Sequence, residues 1–304
     1  MMWRALVKVL SARIAKLNNS IVKRTHIAKL MTTVPQDAVI LEIGGGYNPR
    51  FIKQHYPNVY HLDHCTGDEL RAKYSRAEMG VAHRVANIQD VDFVFAGEPI
   101  ETLIPPDLRF DVIYGSHVLE HQVDFIGHLH SLATLIKPGG RIIEVIPDLR
   151  TCFDALRFPT VTSDVLVVHA KRPSIHQGKQ VFDYLSRMID VDRGYRLRDG
   201  DLDGVGFTNT LQQAYAQMLV MDQAGAEYVD SHAWVFTPTS FELLMLELRL
   251  LGMTNLVPTY VSPQYGNQFC VVLEATVEDV KALTSEALVA LENKRFALSR
   301  QLRI

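Results

Sequence analysis

The chain of 304 residues has little cysteine: Cys65, Cys152 and Cys270 are scattered, and no two of them form a C-x-x-C pair. That excludes a disulfide framework and a thiolate metal centre, and it suits a reducing compartment. No uncharged apolar run approaches the roughly 20 residues that span a bilayer. There is no surplus of basic residues either. Lys and Arg number 31 against 34 Asp and Glu, a net charge of −3, which argues against general nucleic-acid binding. Internal repeats and low-complexity tracts are absent. What is there is an ordinary globular composition, 47% apolar and 21% charged, in a chain long enough for one large domain or a core plus an elaborated insertion. The expectation is a cytoplasmic protein.

Acid is missing locally as well. Residues 1–36 carry Arg4, Lys8, Arg13, Lys16, Lys23, Arg24 and Lys29 and no carboxylate before Asp37. In the same stretch Trp3, Leu6, Leu10, Ile14, Leu17 and Ile21 recur at spacings of three and four, one apolar face of a helix with a basic face opposite. Lys8 interrupts the only candidate core of a signal peptide. Three readings of this segment stand: a helix docked on the acidic body of its own domain, peripheral contact of residues 1–30 with an anionic membrane surface or, behind both, an organelle-targeting peptide.

From Ala38 onward short apolar runs alternate with longer mixed segments. Ala38–Glu42, Val59–Leu62, His83–Ala86, Phe110–Tyr114 and Arg141–Ile146 read as five strands. A helix carrying Leu119, Phe125, Leu129, Leu132 and Leu135 precedes the turn at Lys137–Gly140. Residues 149–230 break the rhythm with Arg-, Asp- and Gly-rich stretches between two helix-like segments. Regularity returns at Trp234–Phe236, before a helix that opens at Thr237-Pro238 or at Thr239. Asn255–Val261 and Phe269–Ala275 supply two final strands, and residues 278–302 a charged helix. Strands spaced by helices predict an α/β fold, a doubly wound, mostly parallel seven-stranded sheet. The expected organisation is a basic segment 1–36, a core domain 37–277 with a substrate-lid insertion at 149–230, and a helix over 278–304.

The segment VILEIGGGYNP, Val39–Pro49, puts glycines where a strand turns into a helix. Gly44 and Gly46 let backbone approach a ligand closely. Nicotinamide and flavin enzymes use the same device, but the third glycine of their fingerprint is replaced here by Pro49. Glu42, two residues before the first glycine, ends a buried strand and needs a partner there, which a cationic cofactor would supply. Asp63 ends the second strand, where parallel topology sets a carboxylate beside the glycine turn, able to accept ribose hydroxyls.

These elements, with FDVIYGSHVLEH (Phe110–His121) and LIKPGGRIIEVIPD (Leu135–Asp148), resemble class I S-adenosylmethionine-dependent methyltransferases, particularly the methyltransferase-type-11 group. Ile146–Phe153 and HAWVFTP (His232–Pro238) are similar to bacterial members found with glycan-biosynthesis enzymes. The resemblance implies S-adenosylmethionine as cofactor. Gly44, Gly45 and Gly46 would pass under its methionine and ribose, and Asp63 would hold the ribose. Asn87–Phe93 would flank adenine with Asp92 or Asp90 near its amino group, and Ser116 and His117 would close the pocket.

His117-Val118-Leu119-Glu120-His121 also matches the H-x-x-E-H pattern of zinc hydrolases, with two histidines four apart. It directly follows a strand instead of lying inside a long helix, and the resemblance accounts for it, so no metal is expected. Methyl transfer needs alignment above all, and an oxygen acceptor needs a base as well. His117, Asp148, His232 and His121, in that order, are the candidates. In the insertion, Arg150, Asp154, Arg157, His169, Arg172, Tyr184, Arg187 and Tyr195 suit a polar or sugar-like acceptor. The reading is O-methylation of a small polar molecule or carbohydrate. A non-catalytic scaffold of the same fold and, behind it, a nicotinamide-dependent oxidoreductase are the rivals.

Overall fold

The computed structural model describes residues 30, 33–191, 197, 202 and 204–302. The basic amphipathic segment, with its choice between docking and membrane contact, lies outside the described residues but for Leu30 and residues 33–36. Among the described residues, no helix is long and apolar enough to cross a membrane.

Seven strands form one sheet in the order β3-β2-β1-β4-β5-β7-β6. β1 (Ile40–Ile43), β2 (Val59–Asp63), β3 (Phe93–Val94), β4 (Phe110–Ser116) and β5 (Ile136–Pro147) are mutually parallel. β7 (Gln268–Ala275) runs antiparallel to both β5 and β6 (Leu256–Val261). The central strands read as unbroken apolar runs because both faces are covered. Alternate side chains feed two cores. Ile113, Ile142 and Ile146 join Leu129, Trp234 and Phe241 on one face. Val112, Ile143 and Val145 join Phe51, Tyr265 and Cys270 on the other.

Helices connect the strands: α1 (Gly67–Tyr74), α2 (Phe125–Leu135), α3 (Thr162–Lys171), α4 (Gly178–Leu185), α5 (Leu211–Met221), α6 (Pro238–Leu250) and α7 (Ser285–Gln301). The seven-stranded, mostly parallel expectation holds, with three local corrections. His83–Ala86 is no strand but part of a 3-10 segment, Ala82–Asn87, and the third strand is the two-residue β3. Leu119 lies outside the helix it was expected to share with Phe125. Residues 119–121 make a separate 3-10 turn, and α2 opens at Asp124, whose side chain caps the Gly127 amide. Lys137–Gly140 lies within β5, where Gly139 at φ 76° shifts the register against β4.

Between β5 and α6 the segment 149–230 contributes α3, α4 and α5, and its base is tied to the sheet edge. Leu149 N donates to Phe236 O at 2.9 Å and Thr160 N to Val235 O at 2.9 Å. Trp234 is buried there, its indole N–H donating to Gln122 O at 2.6 Å. α6 then starts with Pro238 in its first turn and a reciprocal cap. Thr237 Oγ1 accepts from Ser240 N at 3.1 Å, and Ser240 Oγ accepts from Thr237 N at 2.8 Å. Thr237→Ala should therefore cost about 1 kcal/mol. Urea unfolding should show it as a lower midpoint at unchanged slope.

Candidate functional site

The carboxyl ends of parallel strands in an open α/β sheet are where ligands bind, and here the chemistry-bearing residues collect at that edge. After β1 the chain turns through Gly44 at φ 67° and Gly46 at φ 49°, a conformation that disfavours side chains. A Cβ on Gly44 would sit 2.7 Å from Val118 Cγ2, so the glycine turn packs directly on the turn that follows β4. Gly46 N donates to Asp63 Oδ2 at 3.0 Å. The other oxygen of Asp63 accepts from His64 N at 2.8 Å and pairs with the His64 ring at 2.6 Å. Burial alone would raise the Asp63 pKa, but the bonds from His64 and Gly46 bring it below its usual range. Asp63 is thus held as an anion beside the glycine turn.

Glu42 is 1% exposed, and the loop's own backbone satisfies it. Its carboxylate accepts from Arg50 N at 2.6 Å and Phe51 N at 2.8 Å. Burial pushes its pKa up to about 7 against the lowering effect of these amides. The cationic partner expected for Glu42 is therefore unnecessary in this structure, where the carboxylate fixes the shape of the glycine loop. Asp92 is displaced from its expected place. It precedes β3, accepts from His61 N at 2.8 Å and pairs with Lys53 Nζ at 2.7 Å. The residue that follows β3, level with the end of β2, is Phe95, whose amide donates to Asp63 O at 2.9 Å. Asp90 pairs instead with Arg71 on α1 at 3.1 Å. Tyr74, at the end of α1, was not anticipated. Its ring meets Tyr47 edge-on at 4.8 Å and its hydroxyl lies 3.7 Å from where a Gly46 Cβ would be. Burial, reinforced by Asp63, raises its pKa to about 12.

After Ser116, which ends β4, His117 takes a left-handed φ of 58°, rare outside glycine and a sign of a position fixed by its surroundings. Its Nε2 lies 2.9 Å from Gln268 Oε1 on β7, and its side chain is 38% exposed. The motif is a bend and a 3-10 turn, so its histidines do not share a helix face. They still converge. Glu120, 1% exposed, has Oε1 at 3.4 Å from His117 Nδ1, 3.9 Å from His121 Nε2 and 4.0 Å from His232 Nε2. His121 Nδ1 sits 2.8 Å from Asp230 Oδ1, and His232 Nδ1 2.6 Å from Asp154 Oδ2. Burial would raise the Glu120 pKa, yet the three imidazoles hold it down. His232, from a distant part of the sequence, thus stands beside His121, with ring centroids 4.7 Å apart.

Asp148 is fully buried and carries a bidentate ion pair with Arg150 at 2.8 and 2.6 Å. It also caps the following turn by accepting from Arg150 N at 3.0 Å, so it is occupied as a structural anion. Several insertion residues named for an acceptor are internal. Arg157 donates to Asp154 Oδ1 at 2.8 Å and to His232 O at 2.7 Å, and His169 pairs with Asp124 at 2.9 Å. Tyr184 packs its ring 6.0 Å from that of His232. Tyr195 lies outside the described residues.

No curated protein matches the chain. Among solved structures, the CcbJ methyltransferase from Streptomyces caelestis is 11% identical over 83% of this chain and 88% of that one, with a TM-score of 0.42. The PH0226 protein from Pyrococcus horikoshii OT3 is 14% identical over 83% and 89%, with a TM-score of 0.42. The mitomycin 7-O-methyltransferase MmcR is 14% identical over 79% of this chain, with a TM-score of 0.37. The chain spans about half the length of MmcR and of the CurJ carbon methyltransferase. A model of the family described as methyltransferase domain matches residues 21–248, three quarters of the sequence, including the carboxyl ends of β1 to β5. The chain belongs to the methyltransferase-domain family, in the class I S-adenosylmethionine-dependent group that its sequence resembles.

Proposed function

We propose that the protein transfers a methyl group from S-adenosylmethionine to an oxygen of a small polar or carbohydrate-like acceptor. The observation that carries this is the contact between the two turns. The glycine turn with Asp63 suits the donor, and it abuts the histidine-rich turn after β4 at Gly44 and Val118. Gly44, Gly45 and Gly46 leave room for the donor's backbone-facing atoms, Asp63 takes its ribose, and Ser116 and His117 border the sulfonium end. Asp92 has no part in the cofactor site on this reading.

The donor's methyl group is already activated by the sulfonium charge, so the protein's task is alignment plus removal of the acceptor's proton. His117 is the most accessible imidazole of the turn after β4; its Nε2–H donates to Gln268 Oε1, which leaves Nδ1, 3.4 Å from the Glu120 carboxylate, to take the proton. It is the base on this reading. Asp148 is set aside because Arg150 occupies it. The segment 149–230 overhangs the edge as the substrate lid, and through Asp154 and Tyr184, with His232 just after it, borders the acceptor.

The test is a panel of sugars, glycosides and small hydroxylated metabolites incubated with methyl-labelled donor, followed by mapping of the methylated atom. His117→Ala should lower turnover about a hundredfold at unchanged donor affinity. Donor binding by calorimetry without transfer to any acceptor would favour a non-catalytic scaffold instead. Methylation on nitrogen or carbon would overturn the oxygen assignment alone.

A further inference from the structure

We infer that Glu120, His121 and His232 form a binding site for one divalent cation of the zinc class, beside the glycine turn. Sequence alone argued against a metal here, because the H-x-x-E-H match lacked a long helix to present it. The fold supplies another presentation: a 3-10 turn offers Glu120 and His121, and the chain returning from the insertion brings His232.

Three observations carry the inference. One ligand atom from each residue can be chosen so that all lie within 4.8 Å of one another. Zinc bonds of about 2.0–2.1 Å in a tetrahedron put neighbouring ligand atoms roughly 3.3 Å apart, so separations of 3.9 and 4.0 Å from Glu120 Oε1 need only a modest contraction. Next, Glu120 is 1% exposed, and neither carboxylate oxygen has a hydrogen-bond partner. A buried carboxylate with no bonded donor is costly, and a cation among these atoms would satisfy it. Last, each histidine presents its Nδ1 to a separate carboxylate, His232 to Asp154 at 2.6 Å and His121 to Asp230 at 2.8 Å. At His232 that hydrogen bond fixes the tautomer with Nε2 free for a metal, and Asp230 stands close enough to do the same for His121 once its ring turns onto a cation; carboxylate–histidine pairs of this kind accompany most protein zinc sites. Two imidazoles with one carboxylate suit zinc and its neighbours better than magnesium or calcium, which prefer all-oxygen shells.

Three protein ligands leave a coordination position open, as catalytic sites do and closed structural sites do not. On the methyl-transfer reading, that position would hold the acceptor oxygen and acidify its proton. This role rests on that reading. The binding site itself does not.

The experiment uses the full chain without an affinity tag, stripped with a chelator and checked for its fold by circular dichroism. Zn²⁺ uptake is followed by calorimetry and elemental mass spectrometry, and Co²⁺ uptake by its visible absorption. One equivalent of Zn²⁺ and the intense bands of four- or five-coordinate cobalt are expected. Glu120→Gln and His232→Ala should abolish both, and His55→Ala should change neither. Since Glu120 is buried, its variant could fail to fold, so Asp230→Asn provides the deciding measurement. It leaves the three ligands intact and should weaken Zn²⁺ about 10–100-fold. Uptake far below one equivalent, or uptake unchanged in His232→Ala and Asp230→Asn, would overturn the site. Donor binding is measured on the same samples. Donor bound without metal refutes only the cation, and metal bound without donor refutes only methyl transfer.

Discussion

Gly44→Val is expected to leave a folded protein with no measurable affinity for S-adenosylmethionine. At φ 67° a β-branched residue is strained by roughly 1–3 kcal/mol, and its first carbon would meet Val118 Cγ2 at 2.7 Å. Relief requires the glycine turn to move off the turn after β4, which closes the space the donor would use. Asp63→Ala provides the companion measurement. It removes the carboxylate that would take the ribose, and with it the anchor for the Gly46 amide. Loss of two charge-assisted bonds should weaken the donor by roughly 2–4 kcal/mol, about 30- to 1000-fold in Kd. Calorimetry with the donor and a circular dichroism melt on each variant separate lost binding from lost fold. Wild-type affinity in both would refute the donor site.

The second expectation is that stability falls as pH rises from about 6.5 to 8, and that Glu144→Gln removes much of the fall. Glu144 on β5 is 1% exposed, and neither of its oxygens has a hydrogen-bond partner. It fits only because its neighbour on β4 is Gly115, where a side-chain carbon would overlap the carboxyl. Burial, with Glu120 adding to it, pushes its pKa up to about 8. The folded protein then keeps a proton that the unfolded chain releases near 4.5, so raising the pH through that window favours unfolding. At about 1.4 kcal/mol per pH unit, the contribution is on the order of 4 kcal/mol between pH 5 and 8. Glu42, raised to about 7, acts in the same direction. His61 and His128 act in the opposite direction on the acid side. Burial lowers both to about 4, so each costs stability as pH falls below about 6.5. Urea melts across pH 5–8 should show little net change up to about 6.5, where the histidines offset the carboxyls, then a decline in wild type and a shallower one in Glu144→Gln. Parallel curves would remove Glu144 as its source.

Much of this arrangement could be read in the sequence because it is local. A buried run ending in glycines, an acid closing the next strand and a polar turn after FDVIY each declare themselves within a dozen residues. What escaped depends on register and on distant returns. The resemblance puts Asp92 or Asp90 near adenine, but β3 is so short that the residue following it, Phe95, is the one level with the end of β2. His83–Ala86, with only two apolar residues, is the weakest of the expected strands, and it is used as a 3-10 connection. The pairing of His232 with Glu120, and of Asp154 and Asp230 with their histidines, joins segments brought together by the insertion's folding. The pocket for Glu144 exists only because β4 and β5 align Gly115 opposite it. Asp148 and Arg157 looked like chemistry in a polar stretch, and the structure uses both as buried ion pairs.

The hydrogen bond from His117 to Gln268 joins residues 151 positions apart. β7, the strand that carries Gln268, pairs antiparallel into an otherwise parallel sheet and follows its other six strands in sequence. A protein leaving the ribosome exposes β1 through β5, and with them the glycine turn and Asp63, well before that strand emerges. Contacts so distant in sequence form late, since closing a long loop comes before its reward. The donor half of the edge can therefore assemble on the nascent chain while the histidine half still lacks its brace. On the methyl-transfer reading, turnover would become available only once β7 has been made and paired beside β5.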